Sequence, residues 1–77
     1  MRMRQLVLYS TVGCHLCEEA QRVIQVALGV TVAEVDITAN ARLLERYGVR
    51  IPVLRRLDTG VEIGWPFGPE QVRGLLG

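Results

Sequence analysis

Residues 6–17 read LVLYSTVGCHLC and place a short apolar run directly before the only two cysteines of the chain, Cys14 and Cys17. The nearly unbroken run at residues 6–9 is typical of a strand that is buried on both faces of a sheet. A loop at residues 10–13 follows, and from Cys14 onward the apolar residues recur with the spacing of an amphipathic helix. The predicted inner face of this helix carries Leu16, Ala20, Val23, Ile24, Ala27 and Leu28.

The rest of the chain continues to alternate between strand and helix patterns. Gly29 suits the end of the first helix, and residues 30–37 are rich in β-branched residues, which predicts a second strand. Either Thr38 or Asn40 can cap a second helix that ends at Gly48. The predicted inner face of this helix carries Leu43, Leu44 and Tyr47.

Residues 49–57 predict a third strand that Pro52 interrupts, and a turn at residues 58–60 joins it to a fourth strand at residues 61–63. Pro69 suits the first position of a last helix, which presents Val72, Leu75 and Leu76. The predicted order is β-α-β-α-β-β-α, an α/β fold with a four-stranded mixed sheet and helices on both faces. Its first two strands are expected to be parallel with a right-handed crossover, and its last two antiparallel.

Length and composition limit the possible classes of protein. The chain has 77 residues, 49% of them hydrophobic, so we expect one folded domain spanning residues 1–77. A net charge of +1 argues against a nucleic-acid or membrane partner held by bulk charge, and no stretch approaches the roughly 20 apolar residues of a membrane span. We expect a cytoplasmic monomer. In that compartment a Cys-x-x-Cys pair is more often redox-active or metal-binding than structural.

The position of Cys14 at the start of a helix has a chemical consequence. Unpaired amides and the positive end of the helix dipole favour an anion there. Thiol pKa values at such sites fall from about 8.5 to between about 3.5 and 7.5. His15 adds partial positive charge beside the sulfur, whereas Glu18 and Glu19 act in the opposite direction.

The two cysteines are predicted to have different roles. Cys14 lies at the mouth of the helix and is predicted to be the attacking nucleophile, whereas Cys17 lies nearly one turn inside and is predicted to be the shielded, resolving thiol. A purely structural disulfide is the alternative, but so short a ring removes little chain entropy. A closed zinc site needs four ligands, and only these two cysteines and His15 are at hand.

Pro52 is the second diagnostic residue, because a proline has no N–H to give to a strand ladder and belongs at a strand start or an edge. One solution is a cis Ile51–Pro52 bond at the start of the third strand, facing the cysteines. Only about 5–6% of X-Pro bonds in folded proteins are cis, so the proline alone does not decide between the isomers.

Taken together, these segments resemble a glutaredoxin. The resemblance is carried by LVLYS at residues 6–10, GCHLCE at 13–18, VDI at 35–37 and YGVRIPVL at 47–54, and the ending GWPF at 64–67 is similar to a small glutaredoxin-like family of the thioredoxin superfamily. The resemblance implies the thioredoxin fold, a cis Pro52 and thiol–disulfide exchange. It also implies that Ile51 offers backbone hydrogen bonds to the cysteine segment of a bound partner.

The resemblance also implies the partners. The substrate would be a disulfide-containing protein or a glutathione mixed disulfide, and the reductant would be glutathione or a donor of the thioredoxin-reductase type. No tightly bound cofactor is expected, and glutathione is a candidate co-substrate. Gly13 and residues 64–66 stand where glutaredoxins carry glutathione-binding residues, so the sequence leaves glutathione binding open. Arg50 is interpreted as a solvated side chain, with a contact to a substrate carboxylate as the alternative.

The predicted substrate-binding residues are His15, Ile51, Pro52 and Trp65. His15 is interpreted as an exposed neighbour of the thiol. Trp65 and Phe67 have two interpretations, since they could roof a groove beside Cys14 or fill the end of a small core. We favour the core for these two, and we also predict that Tyr9 and Tyr47 are core residues.

Two alternatives from other functional classes stay open. The spacing Thr11-x-x-Cys14-x-x-Cys17 also resembles the heavy-metal-binding domains of copper carriers, in which two thiolates hold a soft monovalent ion. Those domains run β-α-β-β-α-β and have no use for Pro52, which disfavours them. The other alternative is a redox-inert binding module with the thioredoxin fold.

Overall fold

The computed structural model describes residues 5–76, which form a four-stranded sheet and three α-helices. The elements are β1 Leu6–Ser10, α1 His15–Leu28, β2 Ala33–Asp36, α2 Ala41–Tyr47, β3 Val53–Arg56, β4 Glu62–Gly64 and α3 Pro69–Leu75. This order confirms the predicted β-α-β-α-β-β-α pattern. A short 3-10 helix at Ile37–Ala39, which the sequence did not predict, precedes α2. None of the helices in residues 5–76 has the length and apolar character that crossing a membrane requires.

The sheet has the strand order β2-β1-β3-β4. β1 runs parallel to β2 and antiparallel to β3, and β3 and β4 form an antiparallel hairpin, as predicted. Tyr9 pairs with Val53, and Val53 pairs with Gly64. The carboxyl end of β1, the amino end of β3 and the carboxyl end of β4 therefore meet at one end of the sheet, beside the start of α1.

Apolar side chains are buried on both faces of the sheet, which explains why all five residues of β1 are buried. One cluster lies between the sheet and the helices α1 and α3, and it contains Leu6, Leu8, Cys17, Ala20, Ile24, Val32, Leu54, Phe67, Val72 and Leu75. The other cluster lies on the face that α2 covers, and it contains Val7, Tyr9, Ile37, Tyr47 and Val53. Alternate residues of β1 thus pack into opposite clusters, because successive side chains of a strand point to opposite faces of the sheet.

The structure decides which residue caps α2. Asn40 Oδ1 accepts hydrogen bonds from the N–H groups of Arg42 at 2.8 Å and Leu43 at 3.4 Å, so Asn40 is the N-cap. Thr38 belongs to the 3-10 helix instead. Its N–H and hydroxyl both donate to Asp36 Oδ1, at 2.9 and 2.7 Å.

Two leucines predicted on inner helix faces are exposed, which corrects the sequence prediction. Leu16 is 45% exposed because it lies in the first turn of α1, before the buried row that begins at Cys17 and Ala20. Leu44 is 48% exposed because the seven-residue α2 packs through Leu43 and Tyr47, which are one turn apart.

The second and third strands are shorter than predicted. Residues 30–32 lie outside β2, and residues 48–50 form a turn after α2 in which the Arg50 N–H donates to the Tyr47 carbonyl at 2.8 Å. Val49, predicted to be in a strand, is exposed at the top of this turn. Val30 and Val49 are both exposed, whereas Val32 reaches the core from outside the strand, so β-branched composition alone did not mark the ends of these strands.

Candidate active site

The candidate site is built on the first turn of α1. Cys14 has an extended backbone, with φ −82° and ψ 102°, and is the N-cap of the helix. The Cys17 N–H donates a hydrogen bond to Cys14 Sγ at 3.1 Å. One of the amides that a helix leaves unpaired at its start is thus directed at the sulfur, where it favours negative charge.

The loop before Cys14 depends on a glycine. Gly13 has φ +78°, a left-handed conformation that side chains rarely adopt, although no other group lies within 4 Å of the place where a Cβ would stand. Glycine is therefore needed at this position for its backbone conformation, and not because a side chain would clash with a neighbour. This turn carries the chain from the end of β1 to the start of the helix.

Cys14 and Cys17 are joined by a disulfide, with Cα atoms 5.2 Å apart. Cys17 is 2% exposed and belongs to the cluster under α1, whereas Cys14 is half-buried at the edge of that cluster. The predicted difference in accessibility is confirmed. The assignment of Cys14 as nucleophile and Cys17 as resolving thiol remains a prediction.

His15 points into solvent beside the disulfide. Its side chain is 94% exposed, and Nδ1 lies 3.6 Å from Glu18 Oε2. When the imidazole is protonated, this neighbour offsets part of its positive charge. The two residues therefore oppose one another in their effect on the nearby sulfur.

Pro52 and Ile51 lie at the same end of the sheet as the cysteines. The Ile51–Pro52 peptide bond is cis, as the family resemblance implied. Pro52 is buried next to the start of β3, and its carbonyl accepts a hydrogen bond from the Trp65 N–H at 3.0 Å. The strand ladder stops short of Ile51: within residues 5–76, neither its N–H nor its carbonyl makes a backbone hydrogen bond.

Trp65 and Phe67 were predicted either to roof a groove beside Cys14 or to fill the core, and the structure places them differently. Phe67 is buried in the core, and Trp65 packs edge-on against it with ring centroids 5.2 Å apart. Trp65 is only partly buried, so part of its ring faces solvent. The Trp65–Pro66 bond is also cis, which the sequence did not predict. Tyr9 and Tyr47 are buried, as predicted.

A charged cluster beside Ile51 was missed by the sequence analysis. The Tyr47 hydroxyl donates to Glu62 Oε2 at 2.7 Å, and three guanidinium groups surround the same carboxylate. Arg46, Arg50 and Arg55 place a nitrogen 3.9, 3.5 and 3.6 Å from its oxygens. We call these three side chains the arginine surface. Arg50 is therefore half-exposed and ion-paired, and not simply solvated as predicted.

Two members of this cluster, Tyr47 and Arg55, have raised pKa values. Burial, followed by the hydrogen bond to the Glu62 carboxylate, raises the pKa of Tyr47 above its usual value. The hydrogen bond from Arg55 Nη1 to the Tyr47 hydroxyl, at 3.2 Å, raises the pKa of Arg55. Both shifts favour the protonated forms, in which the Tyr47 hydroxyl is a neutral donor and Arg55 a cation. In the described part of the chain, no three His, Cys, Asp or Glu side chains converge on a point that could hold a metal ion.

A mixed four-stranded sheet with a Cys-x-x-Cys pair at the start of the first helix and a cis-proline ahead of the third strand defines a redox-type module of the thioredoxin-like class. Its element order differs from the β-α-β-β-α-β order of the heavy-metal-binding domains. The chain belongs to the family described as glutaredoxin-like domain (DUF836), whose sequence profile matches residues 5–77.

Solved structures agree with this assignment. The crystal structure of the protein XcR50 from X. campestris has 38% sequence identity and a TM-score of 0.81, with 92% of this chain and 93% of that chain covered. The solution structure of XcR50 gives the same identity and TM-score over 94% and 91% of the two chains. The solution structure of Ne2328 from Nitrosomonas europaea has 34% identity and a TM-score of 0.71 over 96% and 91%. No curated protein matches the chain significantly.

Proposed function

We propose that the protein is a thiol–disulfide oxidoreductase in which Cys14 is the nucleophile and Cys17 the resolving thiol. The observation that carries this proposal is the hydrogen bond from the Cys17 amide to Cys14 Sγ. In the reduced protein the same amide would stabilise the Cys14 thiolate, which is the reactive form of the thiol. Cys17 is buried directly behind it and can be reached by Cys14 but not by a large substrate.

The proposed reaction consists of two exchanges. The Cys14 thiolate attacks one sulfur of a substrate disulfide, forms a mixed disulfide with it and releases the other substrate sulfur as a thiolate. The Cys17 thiolate then attacks Cys14 Sγ, which closes the Cys14–Cys17 disulfide and releases the second substrate thiolate. Two electrons pass to the substrate, and its thiolates take up protons according to their pKa values.

The oxidised protein then needs a reductant. Two glutathione thiols or one dithiol donor of the reductase type would reverse the two exchanges and regenerate both cysteines. We propose a protein disulfide or a glutathione mixed disulfide as the substrate, in the cytoplasm, with the protein acting as a monomer. No tightly bound cofactor takes part in this scheme.

Three residues at the same end of the sheet are proposed to hold the substrate segment. The free N–H and carbonyl of Ile51 can pair with the backbone of an extended cysteine segment, as a strand pairs with a sheet edge. The buried Pro52 keeps Ile51 in place at the start of β3, and the exposed part of Trp65 offers the substrate an apolar contact near Pro52. His15, the exposed residue that follows Cys14, completes the proposed set.

The roles of the two cysteines can be tested by trapping. A reduced Cys17→Ser variant mixed with a disulfide substrate should accumulate the mixed disulfide, because nothing releases it. A Cys14→Ser variant should form none, since Cys17 is 2% exposed. Intact mass after quenching with acid measures both adducts.

Two outcomes would contradict this assignment. Equal trapping by both variants would show that the roles are wrongly assigned. No adduct with any variant, together with a wild-type disulfide that glutathione redox buffers do not reduce, would favour the redox-inert binding module instead.

A further inference from the structure

The arginine surface contains two guanidinium groups that are held side by side. Arg46 and Arg50 both approach the same oxygen, Glu62 Oε1, at 3.9 and 3.5 Å. Both also lie over the ring of Tyr47, at 5.3 and 5.8 Å from its centroid. Their side chains are 57% and 51% exposed, so the remaining N–H groups of each fork face solvent.

Positive charge exceeds negative charge in this cluster. Three guanidinium groups share one carboxylate, and one oxygen of that carboxylate already accepts the Tyr47 hydroxyl. Arg55 Nε is buried and has no hydrogen-bond partner in residues 5–76. Like charges this close repel one another, so a second anion would relieve the repulsion and use the exposed N–H groups of Arg46 and Arg50 that Glu62 leaves free.

The arginine surface begins next to the proposed substrate position. Arg50 immediately precedes Ile51 and Pro52, and Arg55 lies three residues beyond Pro52, or roughly 10 Å along an extended strand. A side chain a few residues from the reacting cysteine of a substrate bound at Ile51 could therefore reach the guanidinium groups.

Exposed apolar side chains near the same end of the sheet indicate what kind of molecule the arginine surface would bind. Val12 in the loop before Cys14 is 90% exposed, Val49 in the turn before Ile51 is 99% exposed, and Leu16 is also exposed. A small anion would leave these groups in water, whereas a polypeptide with both apolar and acidic side chains could cover them and meet the arginine surface. Arginine forks also suit planar carboxylates better than lysine does.

We infer that the arginine surface binds acidic side chains that flank the disulfide of a protein substrate. This inference rests on the proposed function, because it assumes that the substrate lies along Ile51. The arginine surface would then add affinity, orientation and a dependence on ionic strength.

Binding is measured with peptides that cannot react, so that the result does not depend on thiol–disulfide exchange. Two fluorescent peptides carry serine in place of cysteine, and they differ only in having Asp and Glu or the corresponding Asn and Gln at the flanking positions. Fluorescence anisotropy with the oxidised protein at low salt gives the ratio of their affinities. We expect about 3- to 10-fold tighter binding of the acidic peptide, a ratio that falls toward one as salt is added.

Matched variants locate the contact. In Arg46→Gln/Arg50→Gln the ratio should fall to about one, and in Arg46→Lys/Arg50→Lys it should be partly retained. The control is Arg22→Gln/Arg73→Gln, which removes the same charge from exposed positions on α1 and α3 and should keep the ratio. Thermal unfolding of each variant checks that the fold is intact.

Several results would overturn the inference: equal affinities in the wild type, a preference that survives Arg46→Gln/Arg50→Gln, or a loss shared by the control. The rate of reduction of oxidised glutathione is measured in parallel. If Arg46→Gln/Arg50→Gln slows that reaction while the peptide ratio is unchanged, the arginine surface serves glutathione and not a protein. Failure of the proposed function appears separately, as reduced wild-type protein that exchanges with neither oxidised glutathione nor a cysteine-containing disulfide peptide.

Discussion

At the scale of single residues, Cys14 combines a structural and a chemical role. Helix N-caps are usually Ser, Thr, Asp or Asn, whose oxygen accepts a hydrogen bond from an amide of the first turn. Here a sulfur accepts that bond from the Cys17 N–H. The group that begins α1 is therefore also the group proposed to react.

This geometry predicts a lowered pKa for the reduced Cys14 thiol, below the ordinary value of about 8.5. The cause is the directed amide together with the positive end of the helix dipole. Thiolate absorbance near 240 nm, titrated in the wild type and in Cys14→Ser, measures the value. An apparent pKa at or above that of free cysteine would contradict the prediction.

Tyr47 provides a second test at this scale. Its buried hydroxyl donates to Glu62 and accepts from Arg55, so Tyr47→Phe leaves both partners short of a hydrogen bond. We expect the free energy of unfolding to fall by about 1–3 kcal/mol, measured by urea denaturation. The control is Tyr9→Phe, because Tyr9 stacks on the Tyr47 ring but takes no part in the hydrogen bonds that join Tyr47 to Glu62 and Arg55, and the loss of its hydroxyl should change stability by less than about 0.5 kcal/mol.

The sequence could predict Cys14 and Pro52 but not the Tyr47–Glu62 pair. A Cys-x-x-Cys spacing and a proline inside a strand pattern are local signals. Tyr47 and Glu62 are 15 residues apart, and they meet only because Arg55 pairs with Glu62 across the hairpin while α2 lies over the same face. Contacts of this kind depend on register and packing together, which no local pattern contains.

At the scale of elements, the ends of the helices are set by individual residues. Gly29 ends α1 in the left-handed conformation, with φ +75°, and its N–H donates to the Gln25 carbonyl at 2.8 Å. Asn40 begins α2 through its two side-chain hydrogen bonds. The sequence predicted both ends of α1, but for α2 it could not choose between Thr38 and Asn40, because both residue types are good caps.

Replacement of the two candidate caps distinguishes them. Asn40→Ala should lower the free energy of unfolding by about 1 kcal/mol, since two amides of α2 lose their acceptor. Thr38→Ala should cost less, because its exposed hydroxyl donates to Asp36 and does not cap an amide of α2. Chemical denaturation of both variants provides the comparison, and a larger loss for Thr38→Ala would show that the cap is wrongly assigned.

At the scale of the whole molecule, the two faces of the sheet are covered by different kinds of groups. α1 and α3 cover one face, and α2 covers the other face over β1. Over β3 and β4 that second face is covered by the arginine surface with Glu62 and Tyr47. The predicted arrangement of helices on both faces is confirmed, but a count of helices could not show that charged side chains complete the covering.

Because the core is small, truncation of one buried side chain should lower the free energy of unfolding strongly. Leu8 is completely buried at the centre of the sheet, and Leu8→Ala should cost about 2–5 kcal/mol. Stability of about 0.05–0.15 kcal/mol per residue is usual, so this loss is a large part of the free energy of unfolding expected for a chain of 77 residues. Urea denaturation measures the loss, and Val49→Ala is the control, because Val49 is 99% exposed and its truncation should have little effect.

The placement of both sulfurs within a single turn of α1 has a consequence for how the molecule behaves as a whole. Neither the sheet nor the packing of α1 on α3 has to shift for that bond to open or close. The two states of the protein would then share nearly the same outline. A partner able to tell them apart would have to sense the chemistry of the exposed sulfur itself, and not a change of shape elsewhere.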